Sequence, residues 1–311
     1  MGNASGNPMA FPLLPLHELA ALAAATCWAL TGVIASVPAG HLGALTFNRL
    51  RQVFGTLFLA AYVLATGTWT TLTWHVVPLL VLSGLMGIFV GDSLLFTALN
   101  RLGPRRAGIL FAFNAPLAAL LGWLLLGETL SWIAVSGIAL TAAGIALAIL
   151  FGHRGQATDG LEAVRGSLAV GVGIGLCAAL GQAVGIIIAR PLMVGGIDPF
   201  LASLVRVGVA AASLSVLLQL PLESVKARAP LTWKIAGYTA TVGFLGLGVG
   251  MTLLLFALSG GKTGIISTLS ATTPVIILPL LWLKTGDRPA AGAWAGAGLV
   301  VAGMALLFAG R

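Results

Sequence analysis

Residues 127–147, GETLSWIAVSGIALTAAGIAL, return 159 residues later as GDRPAAGAWAGAGLVVAGMAL at 286–306. Without a gap, Gly127, Gly137 and Gly144 fall on Gly286, Gly296 and Gly303, and Glu128 falls on Asp287. Leu140, Ala143, Ala146 and Leu147 fall on Leu299, Ala302, Ala305 and Leu306. The chain therefore carries two copies of one apolar unit. Membrane transporters are commonly built from such repeats, and a duplicated bundle with no transport role is the plain alternative.

Composition places both copies in a membrane. The 311-residue chain is 59% hydrophobic and 8% charged, with a mean hydropathy of +1.06, whereas soluble domains are about 25% charged. A helix crosses a hydrocarbon core of about 30 Å with about 20 predominantly apolar residues. Ten such segments are read, at 17–37, 43–66, 75–99, 104–126, 130–151, 167–189, 198–220, 232–258, 262–283 and 289–309. This predicts an all-α integral membrane protein with ten transmembrane helices and no room for a soluble domain. Each unit then holds five segments. Because five is odd, the second unit enters the membrane from the opposite face, giving two inverted five-helix repeats. Their expected limits are 17–151 and 167–309, after an N-terminal stub at 1–16 and around a polar linker, GHRGQATDGLEAVRG, at 152–166.

A formal charge of +8 would point to nucleic acid in a soluble chain. Here the basic residues stand singly at segment ends, so no nucleic-acid partner is expected and the charges set orientation. Arg101, Arg105, Arg106, Arg154, Arg165, Lys226, Arg228, Lys234, Lys284 and Arg288 lie opposite the termini; only Arg190, Lys262 and Arg311 lie on their side. The imbalance predicts periplasmic termini in a bacterial-type inner (plasma) membrane. The opening MGNASGNPMAFPLLPL has no basic stretch, so no cleaved signal peptide is expected, and the Asn3-Ala4-Ser5 sequon is read as chance. Cys27 and Cys177 occupy matching apolar segments and read as small core residues, not a disulfide.

Enzyme chemistry finds no foothold. His17, His41, His75 and His153 lie near segment ends without metal-ligand spacing. GGKTG at 260–264 resembles the end of a P-loop, but Phe256 stands where its first glycine belongs. Asp92 is the only acid well inside a segment, which rules out a carboxylate dyad. The expectation is no enzyme, no metal and no cofactor, with the lipid bilayer and a small-molecule substrate as partners, and a monomer.

Four features carry a family resemblance. Pro116 and Pro274 interrupt the fourth and ninth segments, in FNAPLAALLGWLLLGE and SATTPVIILPLLWLKTGD. The Gly-acid pairs Gly127-Glu128 and Gly286-Asp287 follow them, the last segment of each unit is Gly-rich, and an arginine stands early in the second segment of each unit, at Arg51 (or Arg49) and Arg206. In addition, GDSLLFTALN (91–100) aligns with GMTLLLFALS (250–259). The pattern resembles the EamA-type families of the drug/metabolite transporter superfamily, over residues 18–309. The resemblance implies a central cavity lined by the first to fourth and sixth to ninth segments, with the fifth and tenth outside as scaffolding. It implies export of amino acids or related amphipathic metabolites by alternating access, and the overall likeness is nearest to YddG-type aromatic amino acid exporters. Asp287 departs from the usual glutamate, and the ATGTWTTLTWH loop lacks the basic residues usual there.

A charge at bilayer depth costs at least ~2.5–3.5 kcal/mol, so each deep polar group requires an account. Asp92 is read as a proton or amine acceptor, as the partner of Arg49 or Arg51, or as a residue near the loop end beside Arg101. Arg206 is read either as a fork for a substrate carboxylate or as a side chain snorkelling to the interface. Asn114 and Ser270, with Thr272 and Thr273, crowd the two prolines, where they can satisfy a freed carbonyl or line a kinked cavity wall. Gln182 stands between Gly181 and Gly185, and the first segment carries Trp28 and Thr31 at mid-depth instead of an acid. The substrate-site candidates are thus Trp28, Thr31, Asp92, Phe96, Asn114, Gln182, Arg206 and Ser270. Phe89, Phe111, Phe113, Trp123 and Phe256 are further aromatic candidates for an apolar cavity. Trp69, Trp74, Trp132, Trp233 and Trp294 read as interface anchors.

Overall fold

A computed structural model describes residues 15–102, 104–151, 166–219, 229–285 and 290–310. The N-terminal sequon, most of the 152–166 linker, His153 and the Gly286-Asp287 pair lie outside the described residues, as do Arg154, Arg165, Lys226, Arg228, Arg288 and Arg311. Among the described residues the secondary structure is helical, without strands. Backbone polar groups in hydrocarbon must be satisfied within the chain, and runs of Leu, Ala, Ile, Val and Gly do this as helices. Several starts are set by side-chain caps. Ser131 accepts from the Ala134 N–H, Asp198 from Leu201 just before Pro199, and Thr232 from Ile235.

The first two helices are α1 (Leu16–Leu42) and α2 (Ala44–Thr66). The third predicted segment is α3 (Val77–Gly84), a π-helical stretch (Leu85–Val90) and α4 (Gly91–Leu102). The fourth is split into α5 (Pro104–Ala112) and α6 (Asn114–Leu126), and α7 (Trp132–Leu150) closes the first half. The second half begins with α8 (Leu168–Val194) and α9 (Pro199–Leu217). It continues through α10 (Trp233–Val242), a π-helical stretch (Gly243–Gly250) and α11 (Met251–Gly260). Then come α12 (Thr263–Ser270), α13 (Thr273–Thr285) and α14 (Ala291–Ala309). Nine helical stretches among the described residues are long and apolar enough to cross a membrane, one fewer than the ten expected. The difference is α2: it is 23 residues long, but Thr46, Asn48, Arg49, Arg51 and Gln52 lower its apolarity.

The irregularities repeat with the sequence. Both π-helical stretches, and the breaks at Phe113 and Thr272, recur at the 159-residue offset of the opening alignment. The two tight turns Gly43 and Gly196 share left-handed φ values of 85° and 86°. The expected kinks at the prolines are displaced. The breaks precede Pro116 and Pro274, which lie in the first turns of α6 and α13, where a missing N–H is harmless. Asn114 donates to the Phe111 carbonyl, Thr272 to Leu269 and Ser270 to Ser267, satisfying the ends of the preceding helices.

Packing interlocks the halves. α1 lies against α10 to α13 and the second π-helical stretch, while α8 lies against α3 to α6 and the first; α2 packs on α9 and α7 on α14. Exchanging the halves maps these pairings onto themselves. The α7–α14 seam is backbone on backbone: a Cβ on Gly144 would lie 2.7 Å from the Gly296 carbonyl oxygen, and one on Gly303 2.8 Å from that of Gly137. Small residues permit this approach, as the glycine spacing predicts.

The five tryptophans read as anchors are all exposed. Three aromatics assigned to a cavity are exposed as well: Phe113 at 50%, Trp123 at 58% and Phe256 at 38%. Phe113 stands at the break before α6, Trp123 on α6, and Phe256 on α11 against the His17 ring. Both cysteines are free thiols, and Cys177 is exposed instead of core.

Candidate functional site

The polar groups at depth are organised by the glycines of the third and eighth helical stretches. In the first half, Gly243 closes on the backbone of Arg51: a Cβ there would sit 2.7 Å from the Arg51 carbonyl oxygen. In the second half Gly84 does the same to Arg206, at 2.6 Å. Since residues 84 and 243 are 159 apart, the structure makes Arg51 and Arg206 equivalent.

Their surroundings differ. Arg51 Nη2 donates to Asp92 Oδ2 at 3.0 Å, forming an ion pair, and to Asn48 Oδ1 at 2.8 Å. Of the readings considered from sequence, Asp92 therefore takes the one that pairs it with Arg51. Arg206 is 0% exposed, which rules out snorkelling. Its Nη1 faces the thioether of Met251 at 3.5 Å, while Nε and Nη2 have no hydrogen-bond partner. A buried ion without compensation costs several kcal/mol (~3–5 when a partner is removed), so among the described residues this guanidinium is a charged group buried without an oxygen partner.

Four sequence candidates gather around the two π-helical stretches. Gln182 Oε1 and Arg206 Nη2 flank Gly87, 3.8 and 3.4 Å from where its Cβ would be. Across the molecule, Trp28 Nε1 donates to the Gly246 carbonyl at 2.9 Å, and Thr31 lies beside the same glycine while donating to the Trp28 carbonyl. Gly250 abuts the Trp28 ring, and its neighbour Met251 meets Arg206, so the groups form one chain of contacts. π-helical turns inside α-helices are frequent at functional sites. Asn114 and Ser270 stand apart at the two helix breaks, buried and bonded to local carbonyls. Phe96 is half-buried on α4.

Sequence reasoning missed a second polar cluster, at the end of the molecule that carries the termini. Glu128 accepts from Arg190 Nε at 3.1 Å, from the Thr263 N–H at 2.7 Å and from Thr263 Oγ1 at 2.8 Å, and Arg190 also donates to the Leu258 carbonyl. It ties the α6–α7 turn of one half to α8, α11 and α12 of the other. Glu128 was visible only as part of the Gly-acid pair and Arg190 only as an orientation charge. The left-handed Gly127 (φ 65°) that ends α6 aims the carboxylate inward. Among the described residues no three His, Cys, Asp or Glu side chains gather to hold a metal.

Long apolar helices in two interlocked, equivalent halves, with charged and amide groups held at depth, define a multi-pass membrane transporter. The model of the EamA-like transporter family matches residues 16–150 and again 169–309, and the chain belongs to that family, within the drug/metabolite transporter superfamily. A solved structure described only as a crystal structure of a protein is similar in fold. It has a TM-score of 0.75 at 20% identity, covering 93% of this chain and 95% of its own. Comparison with curated proteins gave no match.

Proposed function

We propose that the protein is an inner-membrane carrier that exports amino acids, aromatic or hydrophobic ones foremost, and related small amphipathic metabolites by alternating access. In this reading α2 also crosses the bilayer, giving ten spans in two inverted halves, with the termini periplasmic and the carrier working as a monomer. The observation that carries the reading is the pairing pattern: each half inserts its first helix between the third and fourth helical stretches of the other. Such an interface can open toward either face by rocking one half against the other. The mixed character of the groups beside the π-helical stretches, Trp28 with Thr31, Gln182 and Arg206, suits a solute with one apolar and one polar end.

Uniport fits better than proton coupling. Asp92, the acid well inside a span, is held by Arg51, which in turn also donates to Asn48, and a carboxylate tied up in this way is a poor free proton carrier. The test is uptake into proteoliposomes over a panel of amino acids, with and without a pH gradient. Saturable counterflow indifferent to the gradient supports the carrier. Unsaturable flux would make the protein a channel. Accumulation abolished by a protonophore would make it a proton-coupled drug or metabolite exporter. No flux of any solute would leave a membrane-embedded interaction subunit.

A further inference from the structure

The interior of this molecule holds the same arginine site twice, and the two copies are not filled alike. Arg51 and Arg206 are equivalent by the glycines packed on their backbones, Gly243 and Gly84. At the 159-residue offset of the alignment GDSLLFTALN with GMTLLLFALS, the residue facing Arg51 is Asp92 and the residue facing Arg206 is Met251. The contacts follow the alignment: guanidinium to carboxylate at 3.0 Å in one half, guanidinium to thioether at 3.5 Å in the other. Asn48, the second acceptor for Arg51, stands three residues before it, and Ser203 stands three residues before Arg206. Ser203 is occupied instead, accepting from Thr252. The second arginine thus keeps its place, lies deeper than the first, and has lost both oxygen acceptors. A guanidinium offers a planar fork of donors matched to a carboxylate, and Met251 supplies only a weak sulfur acceptor.

We propose that Arg206 is an anion-binding site, in which a carboxylate or other small anion from outside the chain takes the place that Asp92 fills for Arg51. Gln182, beside the same Gly87, adds an amide at the edge of the site. The thioether is a suitable cap for the closed, ligand-free site, since an unbranched methionine side chain has the torsional freedom to swing away. Access requires that the third helical stretch part from α9, where Gly84 and Gly87 now lie against Arg206. That the anion is the carboxylate of a transported amino acid rests on the function proposed above; that the site takes an anion does not.

The test measures thermal unfolding of purified full-length protein in detergent. The probes are L-phenylalanine, phenethylamine (the same molecule without its carboxylate) and sodium chloride, each titrated into low-salt buffer. L-phenylalanine is expected to raise the midpoint of the wild type by about 5 °C at about 100 times its Kd, and phenethylamine to leave it unchanged. Met251→Asp installs the partner that Arg51 already has. It is expected to raise the ligand-free midpoint and to abolish the response to L-phenylalanine, as is Arg206→Gln. If sodium chloride shifts the wild type but neither variant, and L-phenylalanine shifts none, the site stands with a free ion as its ligand and the amino acid reading falls. If the variants respond to every probe as the wild type does, or no anion moves the wild type, the site is wrong, whatever the liposome panel finds. Arg206→Met guards against a misfolded Met251→Asp. Removing an uncompensated buried charge should raise the ligand-free midpoint, and a fall would mean that the guanidinium is already satisfied, overturning the proposal.

Discussion

Arg51 on α2 and Asp92 on α4 close on each other at 3.0 Å with 20% of each side chain exposed, joining two helices of the first half where both π-helical stretches run. An exposed pair is worth ~0–1 kcal/mol, and breaking a fully buried one costs ~3–5. Asp92→Asn should therefore destabilise the fold by about 2 kcal/mol, seen as a lower unfolding midpoint in detergent. It should leave counterflow of preloaded substrate intact. Loss of pH-driven accumulation with the fold unharmed would instead assign Asp92 to proton transfer.

Glu128 is the centre of the cluster at the terminal end. Replacing it with alanine leaves Arg190 and the Thr263 N–H without their acceptor, at a cost of about 2–4 kcal/mol. The specific readout is amide hydrogen exchange at 258–263, which should rise at Thr263 before it rises in α7 or α14. Unchanged exchange there would mean that Glu128 holds nothing closed.

Along the α7–α14 seam, Gly144→Leu and Gly303→Leu should abolish folding or sharply lower yield, since a Cβ alone would overlap the facing backbone and overpacking costs about 1–3 kcal/mol per modest insertion. Gly298→Leu, on the same α14 but with nothing within 4 Å, is the control and should express normally.

Orientation has its own assay. A fluorescent protein that matures only in cytoplasm, fused after Arg311, should stay dark if the termini are periplasmic. Bright cells would overturn the charge-based topology.

The sequence carried the fold far because apolar length is a one-residue-at-a-time signal: ten stretches stood out by hydropathy, nine of which are long and apolar enough to cross a membrane among the described residues, and the glycines at 137, 144, 296 and 303 marked a stripe for close helix packing. It was weakest on partners. Asp92 and Arg51 are 41 residues apart, Glu128 and Thr263 135, and no local pattern says that they meet. The fate of Arg206 shows the limit most clearly. Position alone favoured a side chain reaching for the interface, whereas the glycines at 84 and 87 let neighbouring backbones close over it. The alignment that pairs Asp92 with Met251 was present in the sequence, but its meaning emerges only once both arginines are seen to be enclosed by equivalent glycines.

The bare-backbone contact between α7 and α14 has a mechanical consequence. Interdigitated at Gly137, Gly144, Gly296 and Gly303, the two helices cannot slide past each other without collision and cannot spread without losing their backbone contact, and each belongs to a different half. In the alternating-access reading proposed above they would serve as an axle, the halves turning about this line with a displacement small at the seam and growing with distance from it, so that the longest stroke would fall on the helices farthest from the axle.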